Sequence, residues 1–281
     1  MYRLLATDVD DTLLALDGTL PAATRKTLQE LYDRGIMIVF SSGRATSSLR
    51  AVASRIIPPP NNGSDNGSDN EYLISYNGGR VSTAGSNTII FEQALSQELI
   101  AEILTHTRRA DLHVQAYRSE GFIVERHDST RQKWIDYYVG SATMNWAYVD
   151  DMPSAVPNGS IKLLIIGEHE KLCTLQKALA PIAQGKFDMF FSKPMYLEVV
   201  ASGVNKGTAL AMLARHINIP VEDCIAFGDS NNDIEMLTTA GLGVAVANAS
   251  DELKAIADHV LTRSADEAAL VELAEQYFPN D

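Results

Sequence analysis

The feature that most constrains this chain is Leu4-Leu5-Ala6-Thr7-Asp8-Val9-Asp10-Asp11-Thr12-Leu13-Leu14, an apolar run that stops in three carboxylates. A run this short, bounded by acids and a hydroxyl, reads as a buried strand whose polar residues gather at its C-terminal end. That is the edge where open α/β sheets bind their ligands. Asp8 and Asp10 stand two apart, so on an extended backbone their side chains leave on the same face. Two such charges about 4 Å apart repel by roughly 4 kcal/mol at an effective dielectric of about 20. A divalent cation, a lysine or a shared proton must therefore offset them.

The pattern recurs along the chain. Asp17-Gly18 makes a reverse turn, Pro21 sits at a first helical position ahead of Leu28, Leu31 and Tyr32, and Gly35 ends that helix. Ile36-Met37-Ile38-Val39-Phe40 is a second apolar run, and it stops in Ser41-Ser42-Gly43-Arg44. Strand, helix, strand at this spacing is a βαβ unit, so the two strands are parallel and Ser42 comes to the same edge as Asp8. A second helix is expected over 45–57, ended by Pro58-Pro59-Pro60. Residues 61–70 are a tandem of Asn-Gly-Ser-Asp with nothing to bury and are expected to form a mobile surface loop; the closing glutamate of a calcium-binding loop is lacking. Tyr72-Leu73-Ile74-Ser75-Tyr76 follows as a third buried strand and ends in Asn77-Gly78-Gly79.

From about Ser82 to Pro194 the texture changes. Val114-Gln115-Ala116-Tyr117 and Phe122-Ile123-Val124-Glu125 mix polar with apolar residues, which suits a sheet with one solvated face. Trp134, Tyr137, Tyr138, Trp146 and Tyr148 fall here, as do the basic residues Arg118, Arg126, Arg131 and Lys133. Strands over 161–166 and 187–191 flank a helix over 171–179. We read 82–194 as an α+β domain inserted into a core made of 1–81 and 195–281. From Tyr196 the alternation resumes. Leu197-Glu198-Val199-Val200 reads as a core strand, Lys206-Gly207 opens a helix, and Cys224-Ile225-Ala226-Phe227 runs into Gly228-Asp229-Ser230-Asn231-Asn232-Asp233. The fold class is α/β, a Rossmann-like doubly wound parallel sheet with an inserted domain.

Composition narrows the partners. With 281 residues the chain is long for one core and comfortable for two domains. A net charge of -13 opposes nucleic acid and anionic membrane as partners. An anionic small molecule would need a local positive site, such as a metal ion with a few basic residues. Cys173 and Cys224 sit in apolar segments, so neither a disulfide framework nor a thiolate metal site is indicated. The six histidines have no paired spacing, which argues against zinc. Asp8 interrupts the first apolar run before it reaches signal-peptide length, and no stretch is long enough to span a membrane, so a cytoplasmic location is expected. The sequence does not give the oligomeric state.

Four strand or helix ends thus carry polar clusters: Asp8 and Asp10; Ser42 and Gly43; Lys206; and Asp229, Asn232 and Asp233. Together they offer a nucleophilic carboxylate, a hydroxyl and glycine amide for phosphate oxygens, a fixed cation, and acids for a hard metal. In this order the sequence resembles the haloacid dehalogenase superfamily of phosphohydrolases, in its Cof-type branch of sugar phosphatases with a large inserted cap. The resemblance spans the full chain. It implies that Asp8 attacks phosphorus to form an aspartyl phosphate, and that Asp10 protonates the leaving oxygen and then activates water. It further implies Mg²⁺ held by Asp8, the Asp10 carbonyl and Asp229. Ser42, Gly43, Arg44, Asn232 and Lys206 are then expected around the phosphate.

Two departures from the family pattern stand out. Asp11 occupies a position where the family usually has glycine, which it can hold only if its φ is accessible. The 61–70 loop looks longer than the family's connection. Asn77 resembles the family's Asn-Gly turn facing the site, though Asn-Gly is also a common turn pair. The implied function is Mg-dependent hydrolysis of small phosphorylated metabolites, sugar phosphates first. A phosphomutase or phosphotransferase uses the same four motifs. A receiver-type signalling module shares the residue types, but its phosphoacceptor follows a later strand.

Overall fold

The computed structural model describes residues 2–56, 71–118, 121–126, 132–134, 136 and 145–279. The tandem at 61–70, the three prolines before it, His127, Arg131, Tyr137 and Tyr138 lie outside the described residues. The chain divides into two compact units, Met1–Phe91 with Asn205–Asp281, and Glu92–Val204.

The first unit is built on an eight-stranded sheet. Its strands are β1 (Leu4–Thr7), β2 (Met37–Ser41), β3 (Glu71–Ser75), β4 (Arg80–Thr83), β5 (Ile89–Glu92), β12 (Cys224–Gly228), β13 (Leu242–Ala245) and β14 (His259–Val260). The order is β14-β13-β12-β1-β2-β3-β4-β5. The six strands from β14 to β3 pair in parallel, and β4 returns antiparallel on β3. β1 is fully buried, as a run of Leu, Leu, Ala and Thr covered on both faces must be. Chain order runs outward from β1 through β2 to β3 on one side and from β12 to β14 on the other. The switch point therefore lies between β1 and β12, where such sheets open a crevice at their carboxyl ends.

Helices Ala22–Asp33 and Thr46–Ile56 make the first two crossovers, and Lys206–His216, Ile234–Thr239 and Asp251–Ile256 those of the second half. Leu28 and Leu31, then Leu49, Ala53 and Ile56, then Leu210, Leu213 and Ala214 pack with β1, β2 and β12 in one core. Gly207 permits the close approach of Lys206–His216 to its neighbour, since a Cβ there would lie 2.1 Å from the Glu235 carbonyl oxygen.

The second unit carries a six-stranded sheet in the order β10-β11-β9-β6-β7-β8. Its strands are β6 (His113–Arg118), β7 (Gly121–Glu125), β8 (Trp146–Val149), β9 (Lys162–Ile166), β10 (Phe187–Lys193) and β11 (Tyr196–Ala201). Helices Gln97–Arg109 and His169–Ala183 cover one face through Ile100, Ile103, Leu172, Leu175 and Leu179. Trp146 stacks on Phe122 with ring centroids 6.3 Å apart and meets Tyr148 edge-on at 5.0 Å. These aromatics pack on one another. Arg126 lies over the Tyr148 ring and pairs with Asp150, and Lys133 lies over Trp134.

The boundaries of the insertion differ from those read off the sequence. The core continues to Phe91 rather than 81, because β4 turns straight back on β3. At the other end, Tyr196–Ala201 is no core strand. It pairs antiparallel with β10 and β9, so the insertion runs to Val204 rather than 194. The reason is physical: all six residues of β11 are buried. A largely apolar run does not reveal which sheet it belongs to.

Candidate active site

The site belongs wholly to the first unit and forms where β1, β2, β3 and β12 end. Asp8 follows β1 directly, is 5% exposed, and donates its N–H to the Phe227 carbonyl at 2.8 Å. Lys206 opens its helix behind an Asn205–Thr208 capping box, and its side chain is fully buried. Its Nζ lies 2.5 Å from Asp8 Oδ1 and 2.6 Å from Asp233 Oδ1. Burial alone would push the ammonium toward neutrality, but Asp233 and Asp8 outweigh it and raise its pKa. Lys206 is thus a fixed cation joining the end of β1 to the turn after β12.

Asp233 is fully buried. Its Oδ1 takes the Lys206 ammonium and its Oδ2 accepts from the Asp229 and Ser230 N–H groups, at 3.1 Å each. Gly228 makes room for it, since a Cβ there would sit 2.6 Å from the Asp233 carboxyl carbon. Asp229 receives the Thr12 hydroxyl on Oδ1 at 2.8 Å. Desolvation, then the Asp233 charge, push the Asp229 carboxyl up to about 6. Asp8 is also raised well above the usual carboxylate range, by burial first, against the opposing pull of Lys206. One oxygen from each of Asp8, Asp229 and Asp233 lies within 4.8 Å of the other two. An all-carboxylate set that is desolvated and mutually repelling suits a hard divalent cation.

Asp10 stands apart from that set through its side chain. Arg44 grips its carboxylate at both oxygens, Nε to Oδ2 at 2.7 Å and a terminal nitrogen to Oδ1 at 2.5 Å. This hydrogen-bonded pairing raises the Arg44 pKa. The guanidinium therefore faces Asp10. Ser42 is buried after β2 and its Oγ accepts from the Arg44 N–H at 3.2 Å. Gly43 lies against Asn77, whose amide atoms would be 3.1 to 3.4 Å from a Cβ placed there. Asn77 holds φ 55, and its Oδ1 accepts from Asn232 Nδ2 at 3.0 Å. Eight of the nine residues singled out from the sequence thus stand in the turns that follow these strand ends, and the ninth, Lys206, opens the helix that packs beside them. Asp11 has φ 60, so the turn keeps the left-handed backbone that a glycine would adopt there.

Sequence reasoning grouped Asp233 with the acids offered to a hard metal without giving it a role of its own, and gave none to Thr12, although both stand inside the quoted motifs. The signal for Asp233 was its spacing, four residues beyond Asp229 in a capped turn.

The sequence signature of the haloacid dehalogenase-like hydrolases matches residues 5–273. The HMP-PP phosphatase of Yersinia pseudotuberculosis is 31% identical over 258 residues, covering 90% of this chain and 87% of that protein. A haloacid dehalogenase-like hydrolase from Bacteroides thetaiotaomicron shares the fold with a TM-score of 0.83 at 28% identity, over 98% of this chain and 99% of that one. A Thermotoga maritima protein solved by X-ray crystallography gives a TM-score of 0.83 at 27% identity, over 98% and 97%. With its signature matched almost end to end, the chain belongs to the haloacid dehalogenase-like hydrolases.

Proposed function

We propose that this hydrolase is a phosphatase of the Cof type, acting on small phosphorylated metabolites, sugar phosphates foremost, through a phosphorylated Asp8. The observation that carries the reading is the buried Lys206 ammonium between Asp8 and Asp233 at the switch point of the sheet. A lysine held there keeps one oxygen of Asp8 fixed and leaves the carboxylate aimed out of the strand end.

In this reading Asp8 attacks phosphorus and the ester oxygen leaves with a proton from Asp10. Asp10 then takes a proton from the water that attacks the phosphoaspartate, which releases inorganic phosphate and restores Asp8. Splitting the hydrolysis this way leaves positioning and charge as the protein's main contribution. Arg44 binds both oxygens of Asp10 and so sets its direction, and Asp10 must give up one of these bonds to carry a proton. This assigns Arg44 to Asp10 rather than to the phosphate. Ser42 and Asn232 are the phosphate ligands, with Asn77 orienting Asn232. Asp8 and Asp229, with the Asp10 carbonyl, would hold Mg²⁺, and Asp233, whose oxygens already serve Lys206 and two backbone N–H groups, fixes the turn around them. Bound there, Mg²⁺ would supply charge to offset the acids and the transferred phosphoryl group.

The test is release of inorganic phosphate with Mg²⁺ across a panel of sugar phosphates, nucleotides, pyridoxal phosphate and HMP-PP, the last because relatives bear its name. Turnover of sugar phosphates above the other classes supports the reading. Transfer of the phosphoryl group to a second sugar with no free phosphate would replace hydrolase by phosphotransferase.

A further inference from the structure

The segment from Val246 to Ser250, between β13 and the helix Asp251–Ile256, holds none of the residues used above, yet it contacts both acid-bearing turns. Asn248 Nδ2 donates to the Asp11 carbonyl at 2.8 Å, and its Oδ1 accepts from the Ala265 N–H at 2.9 Å. With one end of the amide donating and the other accepting, its orientation is set. Two residues on, the Ser250 N–H donates to the Asp229 carbonyl at 2.8 Å, and Ser250 Oγ donates to Asn231 Oδ1 at 2.8 Å. The segment is itself seated on the sheet, with the Val246 N–H on the Gly228 carbonyl at 3.2 Å.

These contacts close a ring. Asn248 fixes the carbonyl of Asp11, which lies in the peptide joining Asp11 to Thr12. Thr12 then delivers its hydroxyl to Asp229 Oδ1. The Asp229 carbonyl returns to Ser250, two residues from the start. The ring ties the turn after β1 to the turn after β12 through side chains 217 and 237 residues apart in sequence. Its weakest member conformationally is Asp11, whose φ of 60 an L-residue rarely keeps unless its surroundings hold it.

We infer that Asn248 is a positioning residue for the cation site: it holds the Asp11–Thr12 peptide so that Asp8 and Asp229 keep the separation a divalent cation needs. The inference rests on the proposed metal site and names a residue outside it. Partners of this outer kind change metal affinity by about 10- to 100-fold when removed.

The test uses the full chain and Mg²⁺ alone, with binding followed by isothermal titration calorimetry. Asn248→Ala and Thr12→Val each break the ring at a different point. Each should weaken Mg²⁺ binding about 10-fold, and the double variant should bind little worse than either single one, because a ring already open loses little on a second cut. A purely structural role for Asn248 would lower the melting temperature of metal-free protein and leave Mg²⁺ affinity alone; that result overturns the inference. Additive losses, roughly 100-fold in the double variant, overturn it as well. Should Asn248→Ala fail to fold, Thr12→Val carries the test, and unchanged affinity there is equally fatal. If the wild-type chain binds no Mg²⁺, the metal site itself falls, a different outcome from wild-type binding that Asn248→Ala leaves untouched.

Discussion

Replacing Lys206 by methionine keeps the unbranched stem of the side chain and removes its charged end. In the native protein the ammonium is fully buried between Asp8 and Asp233, at 2.5 and 2.6 Å. Taking away one partner of a buried ion pair leaves an uncompensated charge and costs about 3–5 kcal/mol. Here two carboxylates lose the same partner, so a destabilisation of about 4 kcal/mol in chelator at about pH 7.5 is expected. The dependence on pH fixes the cause. Asp8 already has a folded pKa above 3.8, so its protonated form contributes stability that is present at low pH and lost as pH rises through the folded value. Without Lys206 that value climbs further, and on acidification the carboxyl takes up a proton instead of staying charged in the interior. Urea unfolding of Lys206→Met should therefore show a deficit that shrinks as the pH is lowered from about 7.5. A loss under about 1 kcal/mol at neutral pH, or one that grows on acidification, would refute the claim that Lys206 neutralises buried acids.

Three further outcomes follow from the same geometry. The Asp229 carboxyl at about 6 against 3.8 when unfolded means that metal-free protein loses roughly 3 kcal/mol as pH rises from about 4 through 6; thermal melts in chelator should show this slope, and Asp229→Asn should flatten it. EDTA should abolish phosphatase activity and Mg²⁺ restore it, with Ca²⁺ a poor substitute because it prefers more ligands and looser geometry; full activity after chelation would exclude the proposed cation. Lys206→Met should lower activity on every phosphorylated substrate of the panel; kcat/KM values that fall for some substrates and not for others would count against a role in the shared phosphoryl chemistry.

The core of the fold was legible because each central strand is an apolar run that ends abruptly in polar residues. The runs ending at Asp8, Ser42, Asn77 and Asp229 place β1, β2, β3 and β12 without any knowledge of their order. What the pattern lacks is a sign of which sheet a run joins, and so β11 was placed in the core. The helix Gln97–Arg109 and the strand Trp146–Val149 were likewise not singled out. In the site, residue types and spacing were enough to single out Asp8, Asp10, Lys206 and Asp229. Pairings were not legible. Arg44 turning to Asp10, Asn77 meeting Asn232 across 155 positions, and Asn248 reaching the Asp11 carbonyl are settled by how loops meet at the sheet edge. The last is the extreme case: an asparagine that serves a backbone carbonyl leaves no motif of its own.

The central claim is that Asp8 carries the phosphoryl group. Its most direct test is rapid acid quenching of the enzyme during turnover of a labelled aryl phosphate, followed by peptide mapping. Asp10→Asn is included because it should slow release from the phosphoenzyme while an activated leaving group still departs without a proton donor. The account predicts label in the peptide containing Asp8, more of it in Asp10→Asn, none in Asp8→Asn, and no steady turnover by Asp8→Asn. Label on another residue, or sustained phosphate release by Asp8→Asn, would contradict it.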